Sequence, residues 1–200
     1  MKYLLHLFLL VSIASCAQDK QPLLGDTEFQ KKMNADFKDA TKSPLKDKDR
    51  KAFKGLDFFK FDSTYVVNAT LIRTPEEKPF QMKTTTERKP VYVKYGVISF
   101  ELKGEIHQLN IYQNLELMTQ DGYKDYLFLP FLDLTNGDTT YGGGRYVEGR
   151  IPSNDKLVID FNSAYNPYCA YNEKYSCPIV PRENYLDIKV EAGVKTFAKH

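Results

Sequence analysis

The chain has no tryptophan, three histidines and three cysteines among its 200 residues. It also has no apolar run of the roughly 20 residues that a membrane-spanning helix needs. Each scarcity narrows the chemistry. If residues 1–15 are removed as a leader, only His107 and the terminal His200 remain. A Ser-His-Asp or Cys-His arrangement would then have to use His107. In a strand that residue shares its face with Leu109, Ile111, Leu115 and Leu117, so it reads as a satisfied core or strand-end histidine. No histidine lies near Cys169 and Cys177, and a zinc site wants four ligands, so no metal site is read. No basic run is interleaved with aromatics, which argues against a nucleic-acid partner. The Lys46–Lys54 stretch alternates with Asp47 and Asp49 and reads as a solvated helix face.

What is present begins at the N-terminus. Lys2 precedes a short, mostly apolar stretch over residues 3–14, ending in Ile13-Ala14-Ser15-Cys16. A positive residue, an apolar core, small residues and then cysteine is the order of a bacterial lipobox, where Cys16 becomes acylated after export. Residues 1–15 are therefore expected to be a lipoprotein signal peptide and residues 16–26 a lipidated tether. Residues 27–200 are expected to form one β-rich domain. Two or three acyl chains, at about 0.8 kcal/mol per buried methylene, make release from the bilayer negligible. The expected location is outside the cytoplasm, anchored to a bacterial membrane at the outer membrane or a periplasmic face. Loss of Lys2 lowers the formal net charge from +2 to +1. With Cys16 acylated, Cys169 and Cys177 remain as an expected disulfide in an oxidising compartment. Closing that short loop would stabilise by roughly 2.5 kcal/mol in the chain-entropy model.

Two short helices lead the domain. Thr27-x-x-Gln30 is a capping-box pattern, followed by Phe29, Met33, Phe37 and Ala40 on one face. Ser43-Pro44 reads as the start of a second helix that Gly55 ends. Beyond Phe61 the period becomes two. Strands are expected over Tyr65–Arg73, Phe80–Thr86, Val91–Leu102, Glu105–Leu117, Tyr126–Thr135, Thr139–Arg150, Lys156–Phe161 and Tyr185–Ala192. Short links between them imply a mainly β (α+β) fold, an antiparallel β-sandwich or partly closed β-barrel preceded by two short helices.

Residues 133–181 concentrate turn-formers, carboxylates, amides and two cysteines around Gly142-Gly143-Gly144-Arg145. The glycines are not a phosphate loop, since no Lys-Ser/Thr pair follows. The Asp133–Asp138 run is only superficially a calcium loop, because its glycine falls one position early. Asn136-Gly137 reads as a type I′ hairpin turn. In that register Asp133 and Arg145 point to opposite faces, unless the glycines form a bulge. A four-residue turn at Pro152–Asp155 would place Arg145 opposite Asn162, with Asp160 on the same face and Tyr141 nearby. The ligand-binding candidates are accordingly Arg145, Asp160, Asn162, Tyr141, Tyr165 and Tyr171. Arg145 would clamp an anion, and the tyrosines would form a wall. The bland reading of the same cluster is an Arg145–Asp160 pair that anchors the loop over 164–183.

The block carries Phe131-x-Asp133-x-Thr135-Asn136-Gly137 and Thr140-Tyr141-x-x-Gly144-Arg145-Tyr146. It continues through Asp160-Phe161-Asn162-x-Ala164-Tyr165-Asn166-Pro167-x-Cys169-Ala170, then Cys177-Pro178, Pro181, Glu183 and Asn184. With these motifs it resembles the bacterial family called domain of unknown function 1684. Tyr168, Val180 and Val194 depart from the residues common in the family. The family implies no assigned activity and carries no catalytic residue across. The expected function is a lipid-anchored envelope protein that binds a small polar or anionic ligand, or a partner, through residues 133–184. The alternatives are a histidine-independent hydrolase of envelope material, using Asp160, Asp133 or Glu183, and a purely structural envelope protein. A flavin or other cofactor is neither indicated nor excluded.

Overall fold

The computed structural model describes residues 25–197; the leader, Cys16, most of the tether and His200 lie outside the described residues. The capping box at Thr27 forms as expected. Thr27 Oγ1 accepts from Gln30 N–H at 3.2 Å, and the Gln30 carboxamide reaches back to the backbone before it. This cap starts α1 (Glu28–Lys38), whose inward face carries Gln30, Asn34 and Phe37. The face is rotated from the apolar stripe, because Gln30 and Asn34 have backbone work to do. Asn34 Oδ1 accepts from Leu56 N–H at 2.8 Å. Phe29 is left 38 % exposed and becomes part of a surface groove. The second helix, α2 (Asp47–Ala52), starts later than Ser43-Pro44.

Eight strands follow: β1 (Val66–Arg73), β2 (Phe80–Gln81), β3 (Val91–Leu102), β4 (Glu105–Asn114), β5 (Tyr126–Asp133), β6 (Arg145–Arg150), β7 (Lys156–Asp160) and β8 (Tyr185–Leu186). They make one curled antiparallel sheet in the order β6-β5-β4-β3-β1-β7, with β2 beside β3 and β8 running parallel to β5. The sheet is a half-barrel: its edge strands β6 and β7 do not pair, so the barrel stays open along that seam. The β3–β4 hairpin turns at Lys103-Gly104, whose φ values of 55° and 81° are those of a two-residue I′ turn.

Three clusters hold this sheet. Inside the curl, Ile98, Phe100, Leu109, Ile111, Leu129, Phe131 and Phe161 pack together. Phe131 and Phe161 meet edge to face with centroids 5.2 Å apart. Burying one such side chain stabilises by about 1.5–3 kcal/mol. On the outer face, Met82, Tyr92, Tyr112, Phe128, Tyr146 and Val180 form a second cluster, so β5 is buried on both faces. Phe37 of α1 and Leu45, Leu56 and Phe58 from the segments flanking α2 pack against Tyr171 and Val194.

β4 and β5 pair only at Tyr112↔Phe128, then fork, and β8 enters beside Leu132 and Asp133. The fork falls where Pro130 has no N–H to give. The buried Asn184 side chain fills the gap as a substitute peptide group. Its Oδ1 accepts from Asn110 N–H at 2.9 Å, and its Nδ2 donates to Asn110 O at 2.8 Å and Pro130 O at 2.7 Å.

Candidate functional site

The expected anion clamp is not built. β5 and β6 pair Phe131 with Arg145 and Leu129 with Val147, three residues away from the register of a two-residue turn at Asn136-Gly137. Directly opposed residues share a face, and Asp133 lies two residues beyond Phe131, so Arg145 and Asp133 point to the same side. The turn is wider because Asn136 does not enter the left-handed region. Instead its Oδ1 accepts from Asp133 N–H at 2.7 Å and its Nδ2 donates to Thr140 Oγ1 at 2.9 Å. The chain swings back at Gly144, whose φ is 87°.

Arg145 is 0 % exposed. Its Nη2 donates to Asp133 Oδ2 at 2.8 Å and to Val190 O at 2.7 Å, and its Nη1 donates to Ala192 O. The guanidinium lies 5.2 Å from the centre of the Phe131 ring. Asp133 Oδ1 accepts in turn from Thr135 N–H at 2.8 Å, Thr135 Oγ1 at 2.5 Å and Val190 N–H at 3.3 Å. This ion pair and its hydrogen bonds tie β5 and β6 to the C-terminal segment. Burial draws the Arg145 pKa below the ordinary guanidinium value, while Asp133 opposes that shift. No anion can reach a group so enclosed.

The Arg145–Asp160 pairing is therefore corrected, for β7 pairs with β1 rather than β6 and sets Asp160 opposite Val66. Asp160 Oδ1 caps a short turn through Asn162 N–H at 2.9 Å, and Asn162 Nδ2 donates to Asp62 O at 2.9 Å. Tyr171 is buried in the helix cluster. Glu183 is exposed and Asp133 enclosed, so the three suggested carboxylates do not gather at one cleft. His107 is a hairpin-end residue, its Nε2 3.3 Å from Leu102 O. Cys169 and Cys177, the expected disulfide pair, lie next to one another, with Cys169 N–H donating to Cys177 Sγ at 3.1 Å. Tyr141 OH lies 4.0 Å from Cys169 Sγ.

Of the six ligand candidates, Tyr165 alone lines the groove that α1 leaves against the sheet. That groove, of about 210 Å³, has Phe29, Met33, Phe37, Tyr165 and Tyr168 as apolar walls, with Lys32, Asp36 and Glu148 as its polar groups. Asp36 is occupied by Lys32 at 2.5 Å and Lys42 at 3.1 Å, which hold its carboxyl below the usual range. Glu148 is different. It accepts from Tyr165 OH at 3.0 Å and is paired with no lysine or arginine among the described ion pairs. Burial is the main cause that pushes the Tyr165 hydroxyl well above its ordinary pKa, so it stays a donor to Glu148. Sequence reasoning missed Phe29, Lys32 and Glu148. The capping residue Gln30 fixes which helix face turns outward, and that signal was legible only in part.

The site and fold together define a β half-barrel domain latched by a buried ion pair, with an aromatic groove under its leading helix. The chain belongs to the family described as "Protein of unknown function (DUF1684)", matched over residues 51–195. It is similar to the solution NMR structure of an uncharacterized protein from gene locus rrnAC0354 of Haloarcula marismortui, at 33 % identity and a TM-score of 0.67. The match covers 86 % of this chain and 92 % of that one. No curated protein matches the chain.

Proposed function

We propose that this protein is a membrane-tethered binding module, anchored through acylated Cys16, whose groove receives an organic cation. The cation is either a small amine or the basic side chain of a partner. The observation that carries the reading is Glu148, a carboxylate that accepts from Tyr165 OH, belongs to no lysine or arginine ion pair among the described residues, and lies beside Phe29, Tyr165 and Tyr168. A cation set against aromatic faces gains about 0.5–2 kcal/mol from the ring quadrupoles, and a carboxylate adds charge and hydrogen-bonding capacity. Arg145 is enclosed and does not offer an anion clamp, and the carboxylate of Glu148 supports a cation in the groove instead.

The anchor is supported by the order Lys2, apolar stretch, Ile13-Ala14-Ser15-Cys16. It is tested by fractionating cells that express the wild type and Cys16→Ser. Wild type should carry acyl chains on an N-terminal Cys16, and the variant should lack them; an unacylated wild type would remove the tether from the account. The ligand class is tested by calorimetry of the processed protein with short peptides ending in lysine, arginine or glutamate. Heat released by the basic peptides alone supports the reading, and binding of the acidic peptide overturns it.

A further inference from the structure

The two cysteines form an asymmetric pair. Cys177 is 6 % exposed, while Cys169 is half-buried and next to the exposed Tyr168. The Cys169 backbone N–H donates to Cys177 Sγ at 3.1 Å, which places the two cysteines side by side. Tyr141 OH stands on the other side of Cys169 Sγ at 4.0 Å. The segment around Cys177 is clamped to a neighbouring turn, with Thr85 N–H donating to Cys177 O at 2.9 Å and Cys177 N–H donating to Thr85 Oγ1 at 3.1 Å. Cys169 is thus the more exposed of the two residues and has a tyrosine hydroxyl near its sulfur, while Cys177 is buried beside it on a hydrogen-bonded backbone.

We propose that Cys169 and Cys177 are a thiol–disulfide exchange pair acting on low-molecular-weight disulfides, with Cys169 as the attacking sulfur and Cys177 as the resolving one. The Cys169 thiolate attacks one sulfur of the small disulfide, and the S–S bond breaks to release a thiolate that takes up a proton. Cys177 then gives up its proton and attacks Cys169 Sγ in the mixed disulfide, which releases the second small thiol. Two electrons pass from the protein to the small disulfide, which is reduced to two thiols, and the chain gains the Cys169–Cys177 bond. The reverse sequence reduces the chain. Hydrogen bonding from Cys177 is the largest cause that lowers the Cys169 pKa below the ordinary thiol value, which favours the attacking thiolate. Lower basicity also weakens a thiolate as a nucleophile, so the net gain in rate over a free thiol at pH 7 is only a few-fold.

The test is peptide mass mapping of the processed protein after incubation with oxidised glutathione. Wild type should lose two hydrogens and keep no adduct. Cys177→Ser should accumulate one glutathione on Cys169, and Cys169→Ser should leave Cys177 unmodified. Wild type that stays reduced, or adducts that form equally on either cysteine, would overturn the assignment. Should a variant fail to fold, the pH dependence of alkylation in wild type decides alone. Cys169 labelling should rise at a pH below that of a free thiol, and an inflection at the free-thiol value of about 8.5 would contradict the proposal.

Discussion

Arg145 and Asp133 meet at 2.8 Å between Nη2 and Oδ2, and neither side chain touches solvent. Twelve residues apart in sequence, they join two neighbouring strands to the C-terminal segment at a single point. Removing one partner of a buried pair leaves the other charge without compensation, which costs about 3–5 kcal/mol. Arg145→Met and Asp133→Asn are each expected to lose that much in chemical denaturation. The double variant should lose less than the sum of the two, since the charges disappear together. Additive losses would mean that the pair does not act as a unit.

The three consecutive glycines are not equivalent. A Cβ on Gly144 would sit 2.6 Å from Phe131 O and 2.7 Å from Val180 Cγ2, at a φ of 87°. Left-handed backbone costs a non-glycine residue roughly 1–2 kcal/mol, and overpacking adds about 1–3 kcal/mol. A Cβ on Gly142 would meet nothing closer than 3.7 Å. Gly144→Ala should therefore lower the melting temperature sharply, whereas Gly142→Ala should change stability by no more than about 0.5 kcal/mol. Thermal unfolding of the two variants side by side checks the contrast.

Asn184 replaces a missing backbone partner at the fork between β4 and β5. Asn184→Ala would orphan Asn110 N–H, Asn110 O and Pro130 O. Only the Pro130 bond is fully buried and Asn110 is half-buried, so at about 1–3 kcal/mol for an unsatisfied buried group the loss should be about 1–3 kcal/mol. Amide hydrogen exchange should localise it, with Asn110 N–H losing its protection first. Unchanged protection there would remove the surrogate role.

The strand plan was legible because alternation marks the long strands well. Val91–Leu102 has the expected bounds, and Lys103-Gly104 turns as a two-residue hairpin should. Asn136-Gly137 carries an equally strong turn signal and does something else. Its asparagine spends its side chain on Asp133 N–H and Thr140 Oγ1, and the reversal is deferred to Gly144. That three-residue shift in pairing moved Arg145 from an imagined surface cluster into the interior. The candidate block was correctly seen as dense in meaning, but many of its polar side chains serve backbone groups elsewhere in the chain, among them Asp62 O, Lys195 O, Asn110 O and Pro130 O. Asn162, Asn166 and Asn184 are all buried. The groove was invisible because its parts come from α1, β6 and the segment after β7, which no local pattern joins.

The central claim is that the buried block is structural and that binding belongs to the groove at Glu148. It is tested most directly by amide NMR of the processed, isotope-labelled chain titrated with tetramethylammonium, in wild type and Glu148→Gln. The account predicts saturable shifts confined to residues 29–37, 148 and 165–168, weakened at least several-fold in the variant, and none with acetate. No saturable shift, an identical response in Glu148→Gln, or saturation by acetate would contradict it.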